Sequence, residues 1–172
     1  MFSRALNRMF TLVGIMAGGF LVIIAILVVA QIVARLLGLQ LPGVNQFAGY
    51  SLAATSFLGL AYSFRQGAHI RVTLITDLFP KSAQRWVLVF ALAIALSVVG
   101  YLAYNTLSMI YWSWEFNEKS PGIISYPLWV PQVAMGVGMA LFAIAIFEDL
   151  VLVLIGRKPN FEINQEVIEG MS

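Results

Sequence analysis

Phe10-Thr-Leu-Val-Gly-Ile-Met-Ala-Gly-Gly-Phe-Leu-Val-Ile-Ile-Ala-Ile-Leu-Val-Val-Ala-Gln-Ile-Val-Ala-Arg35-Leu-Leu37 carries no charge before Arg35. A spanning helix needs about 20 mostly apolar residues, so this run is long enough to cross a bilayer with some tilt. Arg4 and Arg8 precede it as the charged region of a secretion signal would, but the apolar run is far longer than a signal core. It reads as an uncleaved first span. Three more runs follow: Val44 to Phe64 and Trp86 to Trp114, both uncharged, and Leu128 to Phe147, closed by Glu148 and Asp149. The spans are therefore 10–37, 44–64, 86–114 and 128–147, in one membrane unit over 1–158. A polar tail over 159–172 reads as mobile cytoplasmic chain.

Composition agrees. Hydrophobic residues make up 60% of the 172 and charged residues only 10%, against about a quarter charged in a soluble domain. Cysteine is absent, which excludes disulfides, thiolate metal sites and cysteine nucleophiles. The single histidine, His69, lies outside the spans, so no axial haem pair is available. It has no second histidine to share a metal and reads as a polar interfacial residue. Ser/His/Asp sets and phosphate loops do not occur either. The sequence argues against an enzyme, needs no cofactor and shows no nucleic-acid signature.

Charge placement orients the chain. Arg4, Arg8, Arg65, Arg71, Lys81, Arg85, Arg157 and Lys158 are eight of the ten basic residues. All eight fall on one side if four spans alternate. The positive-inside rule makes that side cytoplasmic, with both termini inside. Trp112, Trp114, Tyr126 and Trp129 flank the opposite loop as an interfacial aromatic belt would.

Between spans two and three, Ile70, Leu74, Ile75, Leu78 and Phe79 share one helical face, while Arg71 and Asp77 lie elsewhere. This predicts an amphipathic helix over 70–79, lying in the cytoplasmic interface. The alternative is a connector that is merely amphipathic.

Polar groups within spans invite functional readings because burying them in lipid is costly. Gln31 and Arg35 are four apart and share a face near the outer end of span one. They either contact a substrate or partner, or Arg35 snorkels to headgroups while Gln31 bonds a neighbouring helix. Glu148 and Asp149 lie about one membrane thickness from the outer end of span four, level with Arg65 and Arg85. Pairing with those arginines, or hydration, outweighs an ion pathway. Ser97, Asn105, Thr106 and the span-two hydroxyls are expected to bond across helices. Gly14 and Gly18 form a G-x-x-x-G match, and Gly136 and Gly138 permit close approach in span four. No coupling-ion site is evident, which points to a membrane subunit that works with another protein. The rival reading is a self-contained homo-oligomeric transporter or channel.

Three segments suggest a family. Gln31-Ile-Val-Ala-Arg35, then Phe64-Arg-Gln-Gly-Ala-His-Ile-Arg-Val72 with Asp77-Leu-Phe-Pro80, then Ser120-Pro-Gly-Ile-Ile-Ser-Tyr-Pro-Leu-Trp129 appear in order around the four spans. From about Gln31 to Lys158 the chain resembles the small membrane subunit of tripartite ATP-independent periplasmic (TRAP) transporters, the DctQ-like family. It departs from the family at Thr73, where an acid often stands, and at Gln46, where glutamate is common.

The resemblance implies a non-catalytic scaffold for a large elevator subunit that carries the sodium and substrate sites. It also implies a periplasmic substrate-binding protein, small organic acids as cargo and a bacterial or archaeal cytoplasmic membrane. Partner candidates on this reading are Gln31, Arg35, Gln46, Arg65, His69, Arg71, Glu115, Glu118 and Trp129. Of these, Glu115 and Glu118 belong to the only surface, Leu39–Asn45 with Glu115–Trp129, that a periplasmic protein could reach. The membrane-facing partner contact is expected on a face of spans one and four.

Overall fold

A computed structural model describes residues 2–67 and 80–160. Four helices form: α1 (Phe2–Leu36), α2 (Val44–Arg65), α3 (Lys81–Glu115) and α4 (Trp129–Leu154). The described residues contain no strand, only a single antiparallel bridge between Lys119 and Pro127. The interfacial helix expected over 70–79 lies outside the described residues, as do His69 and Arg71.

Long apolar runs become helices because a helix satisfies its backbone internally wherever water is absent. Their ends are set by residues that adopt a left-handed turn. Gly38 has φ 73°, and Leu39 N–H returns to the Ala34 carbonyl at 2.9 Å, closing α1. Asn117, at φ 48°, closes α3 in the same way, with Glu118 N–H on the Ser113 carbonyl at 3.0 Å. Pro80 caps the start of α3, where its missing N–H costs nothing.

Segments Leu6–Leu36, Ala83–Glu115 and Trp129–Leu154 are long and apolar enough to cross a membrane. The 22-residue α2 falls short of that apolarity, because Tyr50, Ser51, Thr55, Ser56, Tyr62 and Ser63 dilute it. Its place in the fold accounts for this. In space the helices run α1, α2, α4, α3, so α2 is covered on two sides and α1 and α3 form the edges.

Two apolar clusters hold this layer. Phe10, Val13 and Ala17 of α1 meet Leu58 and Ala61 of α2, with Leu141 and Ala145 of α4 behind them. Leu92, Val99 and Ala103 of α3 meet Met139, Ile146 and Val153 of α4. Small residues set the helix spacing. A Cβ on Gly138 would lie 2.6 Å from the Phe57 carbonyl, so α2 and α4 approach backbone to backbone there. A Cβ on Gly14 would lie 2.7 Å from the Tyr62 ring. Gly18 has nothing within 4 Å, so only half of the G-x-x-x-G match is used inside the chain.

Three expectations need correction. Helix α4 does not stop at Phe147 but continues to Leu154, because Glu148 and Asp149 both find partners and need not leave the helix. Residues Ser56, Ser97, Asn105 and Thr106 do not bond across helices. Each returns to a carbonyl one turn back in its own helix, at Leu52, Ala93, Tyr101 and Leu102. Thr55 alone of the hydroxyls singled out reaches a neighbour, donating to the Ala17 carbonyl at 3.3 Å. The tail is also not free from its first residue, since Pro159 is buried and Asn160 is hydrogen-bonded to α4.

Candidate functional site

Polar side chains gather at the two ends of the layer. One end carries the start of α1, the end of α2, the start of α3 and the end of α4. Arg65, the last residue of α2, is its centre and is only 3% exposed. Its Nη1 donates to Glu148 Oε2 of α4 at 2.5 Å, and its Nε donates to Asn7 Oδ1 of α1 at 2.9 Å. The guanidinium carbon stands 4.7 Å from the Phe10 ring centroid, close enough for a cation–π contact. A planar guanidinium suits this position because it offers several donors at fixed angles to separate helices.

Next to it, Asp149 Oδ1 accepts from both the backbone N–H and the Nδ2 of Asn160, each at 2.9 Å. Arg85 of α3 donates through Nε and Nη2 to the Val153 and Leu154 carbonyls at 3.1 and 2.6 Å. It adds a second donor to the Val153 carbonyl, which also accepts from the Gly156 N–H, and its charge suits the negative end of the α4 dipole. All four helices are thus joined at this end.

The opposite end is fastened to α2 by uncharged groups and is partly open. Ser120, 4% exposed, sits in the α3–α4 loop and is the hub. Its Oγ accepts from Gln46 Nε2 of α2 and lies 3.1 Å from the Tyr50 hydroxyl. The loop closes on itself through Ser120 N–H to the Tyr126 carbonyl at 2.9 Å and Leu128 N–H to the Glu118 carbonyl at 3.0 Å. Tyr126 stacks on Phe47 with centroids 5.2 Å apart and meets Tyr50 edge-on at 5.4 Å. Beside this latch is a cleft of about 620 Å³, lined by Gln31 and Arg35 of α1, the α1–α2 turn, Gln46, Tyr50 and Ser120 to Ile123.

The sequence-predicted residues therefore divide. Gln31, Arg35 and Gln46 converge on the cleft, while Arg65 belongs to the other end. Gln46 turns to Ser120, so its amide is used to hold a loop. Glu115 is exposed at the end of α3. Glu118 is folded back, accepting from Ser113 Oγ at 2.8 Å, and Trp129 starts α4 half-buried. Asn7, Tyr50 and Asn160 were missed. Asn7 had one available signal, a polar residue one turn before Phe10 on the face that α1 buries. Asn160 had none, because its role depends on the chain turning back after Gly156.

The family model for tripartite ATP-independent periplasmic transporters, DctQ component, matches residues 24–156. No curated protein matches the chain significantly. The family match spans the cleft-forming half of α1, α2, α3, the Ser120 loop and α4, and so includes the Ser120 end and the Arg65–Glu148 pair, while Asn7, Phe10 and Asn160 lie outside it. The chain belongs to the DctQ family of TRAP transporter components.

Proposed function

We propose that this chain is the small, non-catalytic permease subunit of a secondary-active TRAP transporter, acting as a fixed support for the large membrane subunit. The observation that carries this reading is the use made of the α4 carboxylates. Glu148 is held by Arg65 and Asp149 by Asn160. A carboxylate serving a travelling cation must be able to exchange partners, whereas Glu148 ties α4 to α2 and Asp149 holds the segment that follows α4. The family match supports the pairing with a large membrane subunit and a binding protein.

On this reading residues 1–158 form one four-helix unit in the inner membrane, with α2 as the shielded fourth span. The Arg65 end faces the cytoplasm, where Arg4, Arg8, Arg157 and Lys158 also lie. The Ser120 end faces the periplasm, and its cleft with Gln31, Arg35 and Gln46 is the docking candidate, together with exposed Glu115. Glu118 and Trp129 shape that surface. His69 and Arg71 belong to the α2–α3 connector, outside the described residues. The cargo is a small organic acid moved with sodium, and both sites reside in the large subunit.

Mild-detergent purification of the tagged chain from membranes that also express the large subunit tests the assignment. A complex with one copy of each is expected. A symmetric assembly of this chain alone would refute it and favour the homo-oligomeric alternative.

A further inference from the structure

The edge helices α1 and α3 both turn a whole face away from the bundle, and their chemistry differs. From Leu12 to Ala30, α1 has no hydroxyl, amide or charge. The outward residues of α4, including Val133, Val137, Ile144 and Val151, are equally bare. The ridge of α3 opposite its contact with α4 carries Ser97, Tyr101, Tyr104 and Asn105. Tyr101 is 68% exposed and Tyr104 72%. Gly100 beside them has nothing within 4 Å of a built Cβ, leaving space on this ridge.

Depth makes these tyrosines informative. If Trp112 marks the interface, the helical rise puts Tyr104 about 12 Å and Tyr101 about 16 Å below it. Half the hydrocarbon thickness is about 15 Å, so both rings lie well inside. Helical side chains lean towards the N-terminus, which directs the Tyr104 hydroxyl away from its nearer interface, while Tyr101 stands at mid-depth, too far from either interface to snorkel. Ser97 and Asn105 are short enough to bond their own backbone, at Ala93 and Tyr101. A tyrosine ring holds its hydroxyl too far from its own helix for that. Facing lipid, the two hydroxyls would have no acceptor.

We infer that the Tyr101–Tyr104 ridge of α3 seats a transmembrane helix of the large membrane subunit, one that presents hydrogen-bond acceptors at mid-depth to both hydroxyls. This rests on the proposed function and adds which face meets the partner. It replaces the expectation that spans one and four make that contact. Aliphatic α1 is then the lipid-facing edge.

The test places a photo-crosslinking benzoylphenylalanine at Tyr104 or, for comparison, at Val22 of α1, in the complete transporter in native membranes. A covalent adduct with the large subunit from position 104 and none from position 22 is expected. The double variant Tyr101→Phe/Tyr104→Phe should lower recovery of the large subunit, by roughly 3- to 10-fold per hydroxyl if each bond has the strength usual between membrane helices. Thermal unfolding of the isolated chain should not change, since neither hydroxyl touches it. An adduct from position 22 alone, or only lipid adducts from 104, in a complex that still co-purifies would overturn the inference and leave the functional reading intact. An adduct between two copies of this chain from position 104 would also overturn it. Failure of the large subunit to co-purify with the unmodified chain would sink both.

Discussion

The Arg65 end and the Ser120 end close the same layer of helices by different means. At the Arg65 end a buried guanidinium, two carboxylates and a second arginine reach all four helices. At the Ser120 end one hydroxyl and three aromatic rings fasten a loop to α2 alone, and α1 stands off across a cleft. Charge-assisted bonds are about twice as strong as neutral ones, and they gain further where water is thin. The first end is built to hold its geometry. The second can yield locally without parting the helices. Under the proposed function the two properties serve different ends, rigidity for a fixed support and some adaptability for a protein that arrives and leaves.

Removing Arg65 should break this contrast most severely. Arg65→Ala strands Glu148 and leaves Asn7 unpaired, and losing one member of a buried ion pair costs about 3–5 kcal/mol. Thermal unfolding in detergent should show that loss, with α1 and α2 separating first. A change below the measurement error would mean the clasp is ornamental. At the point where α2 and α4 cross, Gly138→Val must push the Phe57 backbone away, which should cost about 1–3 kcal/mol. This weakens both ends equally, so it calibrates the Arg65 result.

Ser120→Ala should act locally. It removes the acceptor for Gln46 and a partner for Tyr50, worth about 1 kcal/mol for a typical bond. Hydrogen exchange should rise at residues 116–128 while exchange in α4 near Glu148 stays unchanged. Equal acceleration at both ends would contradict the division drawn here. Smallest of all, Gly18→Ala enters open space and should shift stability of the isolated chain by less than about 0.5 kcal/mol. The same change at Gly14 must displace the Tyr62 ring and should be plainly larger.

Much of this could be read from sequence, and the limits have physical causes. The apolar runs located the helices because a helix satisfies its backbone within a single segment in lipid, and runs of about 20 apolar residues suit it. Counting one membrane thickness along the last helix put Glu148 level with Arg65, and the ion pair is there. The order α1, α2, α4, α3 was not legible. Helices that are apolar all round carry no stripe to say which face is inward, and the choice falls to close contacts such as Gly138 on Phe57. Ser97 and Asn105 were read as bridges between helices because a lone polar residue looks the same in sequence whichever carbonyl it finds. Gln46 and Ser120, 74 positions apart, came together only through the fold of the loop.

The central claim is that this four-helix unit supports transport without performing it. The most direct measurement is solute uptake into liposomes under an imposed sodium gradient, with the purified chain alone and then with the large subunit and the binding protein added. The account predicts background uptake for the chain alone and uptake only when all three components are present. Gradient-driven accumulation by the chain on its own would contradict it.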